Sequence, residues 1–169
     1  MEDLEEGGFP CGRGIRVGMM LETQAAAIQV TEFCREVDFI SVGTNDLVQY
    51  LLAVDRGNER VSSYYTPSHP AVLRVLRDVV RACTQAEVDC SLCGEMAGQP
   101  LYTLLLIGLG LTTLSMAPAN IPEVKKLIRL MTHAQAKRVA RRALTFDTDR
   151  QVTNYLRDET RKMLPEDPI

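Results

Sequence analysis

The sequence predicts an α/β protein built on a parallel sheet, with extra helices toward its C-terminal end. Three observations lead there. Four short apolar runs alternate with stretches of helical composition, and polar residues gather directly after each run. The third is size: 169 residues, 46% hydrophobic and 24% charged, suit one ordinary globular domain. Short apolar strands alternating with helices imply right-handed crossovers onto a parallel sheet.

Residues 1–14, acidic and then rich in Gly and Pro, read as a loose lead-in. Ile15 to Leu21 reads as a buried strand stopping at Glu22, and Ala25 to Val37 as a helix with Ile28, Val30, Phe33 and Cys34 among its apolar positions. Phe39 to Val42 is a second strand closed by Gly43. A helix from Asp46 to Val54 has Asn45 or Asp46 near its start, where a side-chain oxygen can cap free N–H groups. Asp55 to Pro70 is a polar loop. Val72, Val75, Leu76, Val79, Val80 and Cys83 then recur at helical spacing between Ala71 and Ala86.

Cys90 to Cys93 is a third strand, Leu101 to Leu109 a buried helix and Thr113 to Met116 a fourth strand. A helix from Ile121 to Met131 places Val124, Leu127 and Ile128 on one side. The βα units thus occupy 15–131, two further helices occupy 132–164, and 165–169 form a tail.

Composition narrows the function. The net charge is −3, but residues 1–122 carry −7 and residues 123–169 carry +4. The basic residues are mixed with acids on helical faces, and aromatics are only 5%, so no nucleic-acid surface is expected. The longest apolar stretch, near Leu104 to Leu111, is too short to span a membrane. No basic segment precedes an apolar one at the start, and the cysteines number five, so a reduced, cytoplasmic setting is expected. Cys90-Ser-Leu-Cys93 lacks two further ligands at zinc spacing.

In a parallel α/β sheet the strand C-termini share one edge, where active sites form. That edge would gather Glu22, Thr44-Asn45-Asp46 and Cys93-Gly94-Glu95. Glu22 and Asp46 could offer oxygens to Mg²⁺ or Mn²⁺; alternatively Asp46 caps a helix and Glu22 pairs with an arginine. Arg56, in Asp55-Arg56-Gly57-Asn58, offers a donor fork matched to phosphate, or is a surface turn residue. Cys93 could exchange protons, or be a small core residue. His69 and His133 read as helix-start residues.

Four ordered motifs then become recognisable. They are Gly43-Thr44-Asn45-Asp46-Leu47-Val48-Gln49-Tyr50, Leu52-Ala53-Val54-Asp55-Arg56-Gly57-Asn58, His69-Pro70-Ala71-Val72-Leu73 and Cys93-Gly94-Glu95-Met96-Ala97-Gly98. Together, across roughly Glu2 to Leu164, they resemble the phosphoenolpyruvate-utilising enzymes, most of all the enzyme I group (phosphoenolpyruvate–protein phosphotransferases of the bacterial phosphotransferase system). Pyruvate phosphate dikinase is a more distant likeness.

The resemblance implies a (β/α)8 barrel, of which this chain would be the second half, since such barrels take about 250 residues. It implies Mg²⁺ or Mn²⁺ held by Glu22 and Asp46, and a phosphoryl group held by Asn45 and Arg56. Cys93 would exchange a proton with the enolate carbon. The substrate and product would be phosphoenolpyruvate and pyruvate, and the partner a histidine-bearing domain or phosphocarrier protein.

The chain departs from the family at Thr23-Gln24, Val48, Gln99 and Ala117-Pro118-Ala119. The earlier strands that supply further arginines, and the histidine domain, are not in this sequence. Two other readings follow: a non-catalytic remnant that binds Mg²⁺–phosphoenolpyruvate or dimerises, and a dikinase-like enzyme or Mg²⁺-dependent enolate lyase. Asp55-Arg56-Gly57-Asn58 and His69-Pro70 favour the phosphotransferase. Four strands alone would leave two open edges, so the chain is expected to be an excerpt of a longer protein or to associate with itself, as a homodimer.

Overall fold

The computed structural model describes residues 6–8, 12 and 14–164. Most of the expected lead-in and the whole expected tail, 165–169, lie outside the described residues. Four strands form one sheet in the order β1-β2-β3-β4: β1 (Gly18–Leu21), β2 (Phe39–Gly43), β3 (Asp89–Cys93) and β4 (Thr113–Ser115). All neighbours are parallel, as the alternation of strand and helix requires. The register sets Leu21 beside Val42, Gly43 beside Cys93 and Cys93 beside Ser115, so the strand ends are level along one edge.

The helices are α1 (Gln24–Ile28), α2 (Val30–Phe33), α3 (Thr44–Leu52), α4 (Pro70–Gln85), α5 (Pro100–Leu109), α6 (Ile121–Leu130), α7 (His133–Ala143) and α8 (Asp149–Arg161). Among the described residues, three short 3₁₀ turns lie at Ser62–Tyr64, Glu95–Gly98 and Pro118–Asn120. Among the described residues no helix is long and apolar enough to cross a membrane.

The strands are not uniformly buried. Leu21, Ile40, Val42 and Leu92 are wholly buried in a core shared with Leu47 and Val48 of α3, Leu73 and Leu76 of α4, and Leu104 to Leu106 of α5. Met20, Ser41, Ser91 and Cys93 alternate with them and are partly or largely exposed. Successive side chains point to opposite faces of a strand, so one face is helix-covered and the other carries Met20, Phe39, Ser41, Ser91 and Cys93. This alternation also separates Cys90, which packs on the core, from Cys93.

Two expected elements change. The strand expected from Ile15 begins at Gly18, and Ile15 and Val17 are 73% and 64% exposed. The helix expected over Ala25 to Val37 breaks into α1 and α2 at Gln29. The β-branched residues Ile28, Val30 and Thr31 crowd that junction and weaken a continuous helix. The break turns Ile28 out to solvent while Val30 stays buried. In α6, Val124 and Leu127 are buried, but Ile128 is 39% exposed.

The terminal helices cover α5, which is buried through Tyr102, Thr103 and Leu104 to Leu106. A Cβ on Gly108 would stand 2.1 Å from the carbonyl oxygen of Ala136, so α5 and α7 meet backbone to backbone. Thr132 and Thr148 open α7 and α8 with reciprocal capping pairs to Gln135 and Gln151.

Candidate active site

The site is assembled at the C-terminal edge of the sheet. Glu22 directly follows the buried Leu21 and crosses the end of β2. A Cβ on Gly43 would lie 3.1 Å from both Cβ and Oε2 of Glu22 and 3.0 Å from Sδ of Met20. The missing side chain at 43 therefore leaves the space that the Glu22 carboxylate occupies.

Gly43 also begins α3, and no side chain caps that helix. The expected cap by Asn45 or Asp46 is not made. Asn45 Oδ1 instead accepts the backbone N–H of Glu95 at 3.0 Å, which leaves its amide NH₂ as the end able to donate to a ligand. Asp46 lies in the first helical turn, where a negative charge suits the positive end of the helix dipole.

Arg56 is brought to the same edge by the loop after α3. Its backbone N–H donates to Gln49 Oε1 at 3.1 Å, and Asp55 Oδ1 accepts the N–H of Gly57 at 2.8 Å, shaping the turn. The guanidinium stands between two carboxylates, with Nη2 3.9 Å from Asp46 Oδ1 and Nη1 3.6 Å from Glu95 Oε1. The Arg56 and Asp46 side chains are 39% and 40% exposed and that of Glu95 is 72% exposed. Such solvated pairs add little stability; their consequence is placement of a cation beside two acids.

Cys93 ends β3. Its Sγ lies 3.5 Å from Ser41 Oγ, 3.5 Å from the Val42 carbonyl oxygen and 3.6 Å from Met20 Sδ. Thr44 Oγ1 donates to the Cys93 carbonyl at 2.8 Å, locking the ends of β2 and β3 together. Gly94 follows at φ +109°, and a Cβ there would stand 2.6 Å from Thr44 Oγ1. Only glycine fits this junction.

Of the residues singled out from sequence, Asn45, Asp46 and Arg56 come together with Glu95, and Cys93 is joined to them through Thr44 and Gly94. Glu22 lies against Gly43, the residue that precedes α3. His69 lies apart as the cap of α4, its Nδ1 accepting the Ala71 N–H at 3.1 Å. His133 starts α7.

Sequence reasoning passed over Tyr65. Its hydroxyl donates to the Asn45 carbonyl at 3.2 Å, and burial pushes its pKa up against the opposing field of Arg56. An aromatic residue inside an otherwise polar loop was the available signal. Glu95 as the partner of Arg56 was also missed, since 39 positions of chain separate them.

Among the described residues no group of three or more His, Cys, Asp or Glu side chains is gathered closely enough to hold a metal ion, so any cation here would draw on two carboxylates at most. Glu22 and Asp46 are the carboxylates that could offer oxygens to such an ion; Gly43 keeps the space beside Glu22 clear, and among the described residues Asp46 is engaged by the long contact to Arg56. Mg²⁺ commonly takes one or two carboxylates and completes its shell with water and substrate.

Comparison with known proteins identifies the family. The family model described as PEP-utilising enzyme, PEP-binding domain, matches residues 1–155. A phosphoenolpyruvate-protein phosphotransferase of Haemophilus influenzae is 42% identical over 156 residues, covering 92% of this chain and 27% of the relative. One from Buchnera aphidicola subsp. Acyrthosiphon pisum is 41% identical over 153 residues, covering 90% of this chain and 27% of its own length. An Escherichia coli protein named phosphoenolpyruvate-dependent phosphotransferase system is 46% identical over 129 residues, covering 76% of this chain and 17% of its own. The chain thus spans about a quarter of the first two of these relatives. With three of the four motifs (43–50, 52–58 and 93–98) meeting at one sheet edge and a family match over residues 1–155, this protein belongs to the PEP-utilising enzymes, within their PEP-binding domain.

Proposed function

We propose that this chain is the phosphoenolpyruvate-binding, catalytic portion of a PEP-dependent protein-histidine phosphotransferase. The observation that carries the reading is the meeting of Asn45, Asp46, Arg56 and Glu95, from two separate strand ends and a loop, at the end of β3 where the Cys93 backbone is tied to Thr44. A guanidinium among carboxylates at an open sheet edge suits a phosphorylated carboxylate bridged by a cation. The adjacent thiol suits proton exchange at carbon.

In this reading the Arg56 fork binds phosphoryl oxygens and the Asn45 amide donates to the same group. Glu95 holds Arg56 in position, and Tyr65 holds the backbone of Asn45. Glu22 and Asp46 would hold Mg²⁺ or Mn²⁺. When bound, the ion would supply electrostatic stabilisation of the phosphoryl group and of the negative charge on the departing oxygen. As a histidine nitrogen of the partner attacks phosphorus, the bridging P–O bond breaks and its electron pair passes to the enolate oxygen. The Cys93 S–H then gives its proton to the methylene carbon, forming the methyl of pyruvate, and solvent returns a proton to the thiolate.

The sheet is read as the second half of a (β/α)8 barrel. Consecutive strand order, uniform parallel pairing and a sheet face left uncovered by the described helices all support this. The histidine that receives the phosphoryl group, on a separate domain or phosphocarrier, is proposed to meet this open edge, and the chain is proposed to work in the cytoplasm.

Calorimetric titration of the chain with phosphoenolpyruvate, with and without Mg²⁺, tests the assignment. Binding that requires Mg²⁺ and weakens at least about 100-fold in Asp46→Asn and Glu22→Gln is expected, because each variant keeps a carbonyl oxygen but removes the negative charge that favours a hard divalent cation. No binding, or binding indifferent to the metal and to both variants, overturns it.

A further inference from the structure

The open face of the sheet carries three small side chains in a row: Ser41, Ser91 and Cys93. Ser41 and Ser91 are register partners on β2 and β3, and Cys93 lies two residues beyond Ser91 on the same face. Their hydroxyls are used differently. Ser91 Oγ donates to the Ile40 carbonyl at 3.5 Å and is thereby turned to the backbone. Ser41 Oγ donates to Cys93 Sγ at 3.5 Å. The thiol can in turn direct its own hydrogen at the Val42 carbonyl, 3.5 Å away, or at Met20 Sδ, 3.6 Å away. Cys93 is therefore received by a hydroxyl donor, a carbonyl acceptor and a soft thioether, and the serine is the group that could stabilise negative charge on sulfur.

We propose that Ser41 is the positioning residue for Cys93. Its O–H fixes the rotamer of the thiol while the S–H is intact and holds the thiolate once the proton has left. The inference rests on the phosphotransferase reading for its reaction. The S–H bond breaks as the C–H bond of the pyruvate methyl forms, and the sulfur keeps the electron pair. The Ser41 hydrogen bond then shortens onto an anion, where hydrogen bonds are about twice as strong as between neutral groups. A water on the uncovered face restores the thiol proton. Ser41 transfers no proton itself and touches no substrate. Its contribution is greater in the state with charge on sulfur than in the resting thiol, which is the condition for accelerating a step and not merely binding.

Two measurements on the full chain test the proposal. The first is exchange of the pyruvate methyl hydrogens for deuterium, followed by NMR with Mg²⁺ in deuterium oxide. Ser41→Ala is expected to lower the saturated exchange rate about 10-fold while the pyruvate concentration at half-saturation stays within about twofold, the mark of an interaction made only as charge develops. Ser41→Thr, which keeps the hydroxyl, is expected to recover most of the rate. Ser91→Ala, the same deletion on the same face, is expected to leave it within twofold.

The second measurement needs no substrate. Alkylation of Cys93 by iodoacetamide, read by mass spectrometry, reports attack by the thiolate. It is expected to slow about 3- to 10-fold in Ser41→Ala and to remain unchanged in Ser91→Ala. Equal alkylation rates in wild type and Ser41→Ala overturn the proposal, as does equal slowing in both serine variants. Absence of methyl exchange in the wild type tells against the phosphotransferase reading of this chain, while the alkylation result still decides the role of Ser41.

Discussion

Gly94 and Gly43 show how single positions set the site. At φ +109° and ψ −178°, Gly94 occupies backbone space essentially reserved for glycine, and Thr44 Oγ1 fills the place of a side chain. Gly94→Ala is expected to destabilise the chain by about 1–3 kcal/mol and to weaken Mg²⁺-dependent phosphoenolpyruvate binding, checked by denaturant titration and calorimetry. Cys93→Ala should separate chemistry from binding. Affinity for phosphoenolpyruvate is expected to stay within about threefold while methyl exchange of pyruvate is lost; normal exchange would exclude Cys93 as the acid. The candidate site residues Glu22, Asn45, Asp46, Arg56 and Cys93 could be named from the sequence because each ends or follows a strand or lies in a turn. Tyr65, Ser41 and the pairing of Glu95 with Arg56 were not, since each depends on contact between residues distant in sequence.

At the scale of elements, existence and type were readable and boundaries less so. The long amphipathic α4 and the capped α7 start within a residue or so of expectation, because periodicity and the Pro70 and Thr132 signals are local. The α1–α2 break was hidden because helical composition says little about where β-branched residues crowd. That break leads into Cys34, which follows α2 and is 6% exposed with its Sγ 3.9 Å from Cys83 Sγ on α4. Burial first, and the neighbouring Cys83 second, push the Cys34 thiol from its ordinary value near 9 up to about 11. The folded state thus keeps a proton that the unfolded chain loses. The associated stability is complete below about pH 9 and disappears as pH rises through about 11. Urea midpoints measured across that window are expected to fall less steeply in Cys34→Ala than in wild type, and an identical slope would contradict the assignment.

The whole molecule is a sheet covered on one side. β1 and β4 each have one paired neighbour in the sheet, and the face carrying Ser41, Ser91 and Cys93 is open. Open parallel edges invite pairing, because unpaired N–H and C=O groups template a further strand. The isolated chain is therefore expected to self-associate, with sedimentation velocity showing a dimer that grows with concentration; a monomer at every concentration, unfolding in two states, would refute this. By itself the sequence determined the alternation of strand and helix, the parallel class and the motif residues at the strand ends, since these follow from local apolar periodicity and turn chemistry. Only the tertiary structure decided which strand residues face the helices, that Asn45 serves Glu95 instead of capping its own helix, and that Arg56 stands between two acids. Those outcomes depend on register between strands and on loops that return to the sheet, and neither is encoded in any one local stretch of chain.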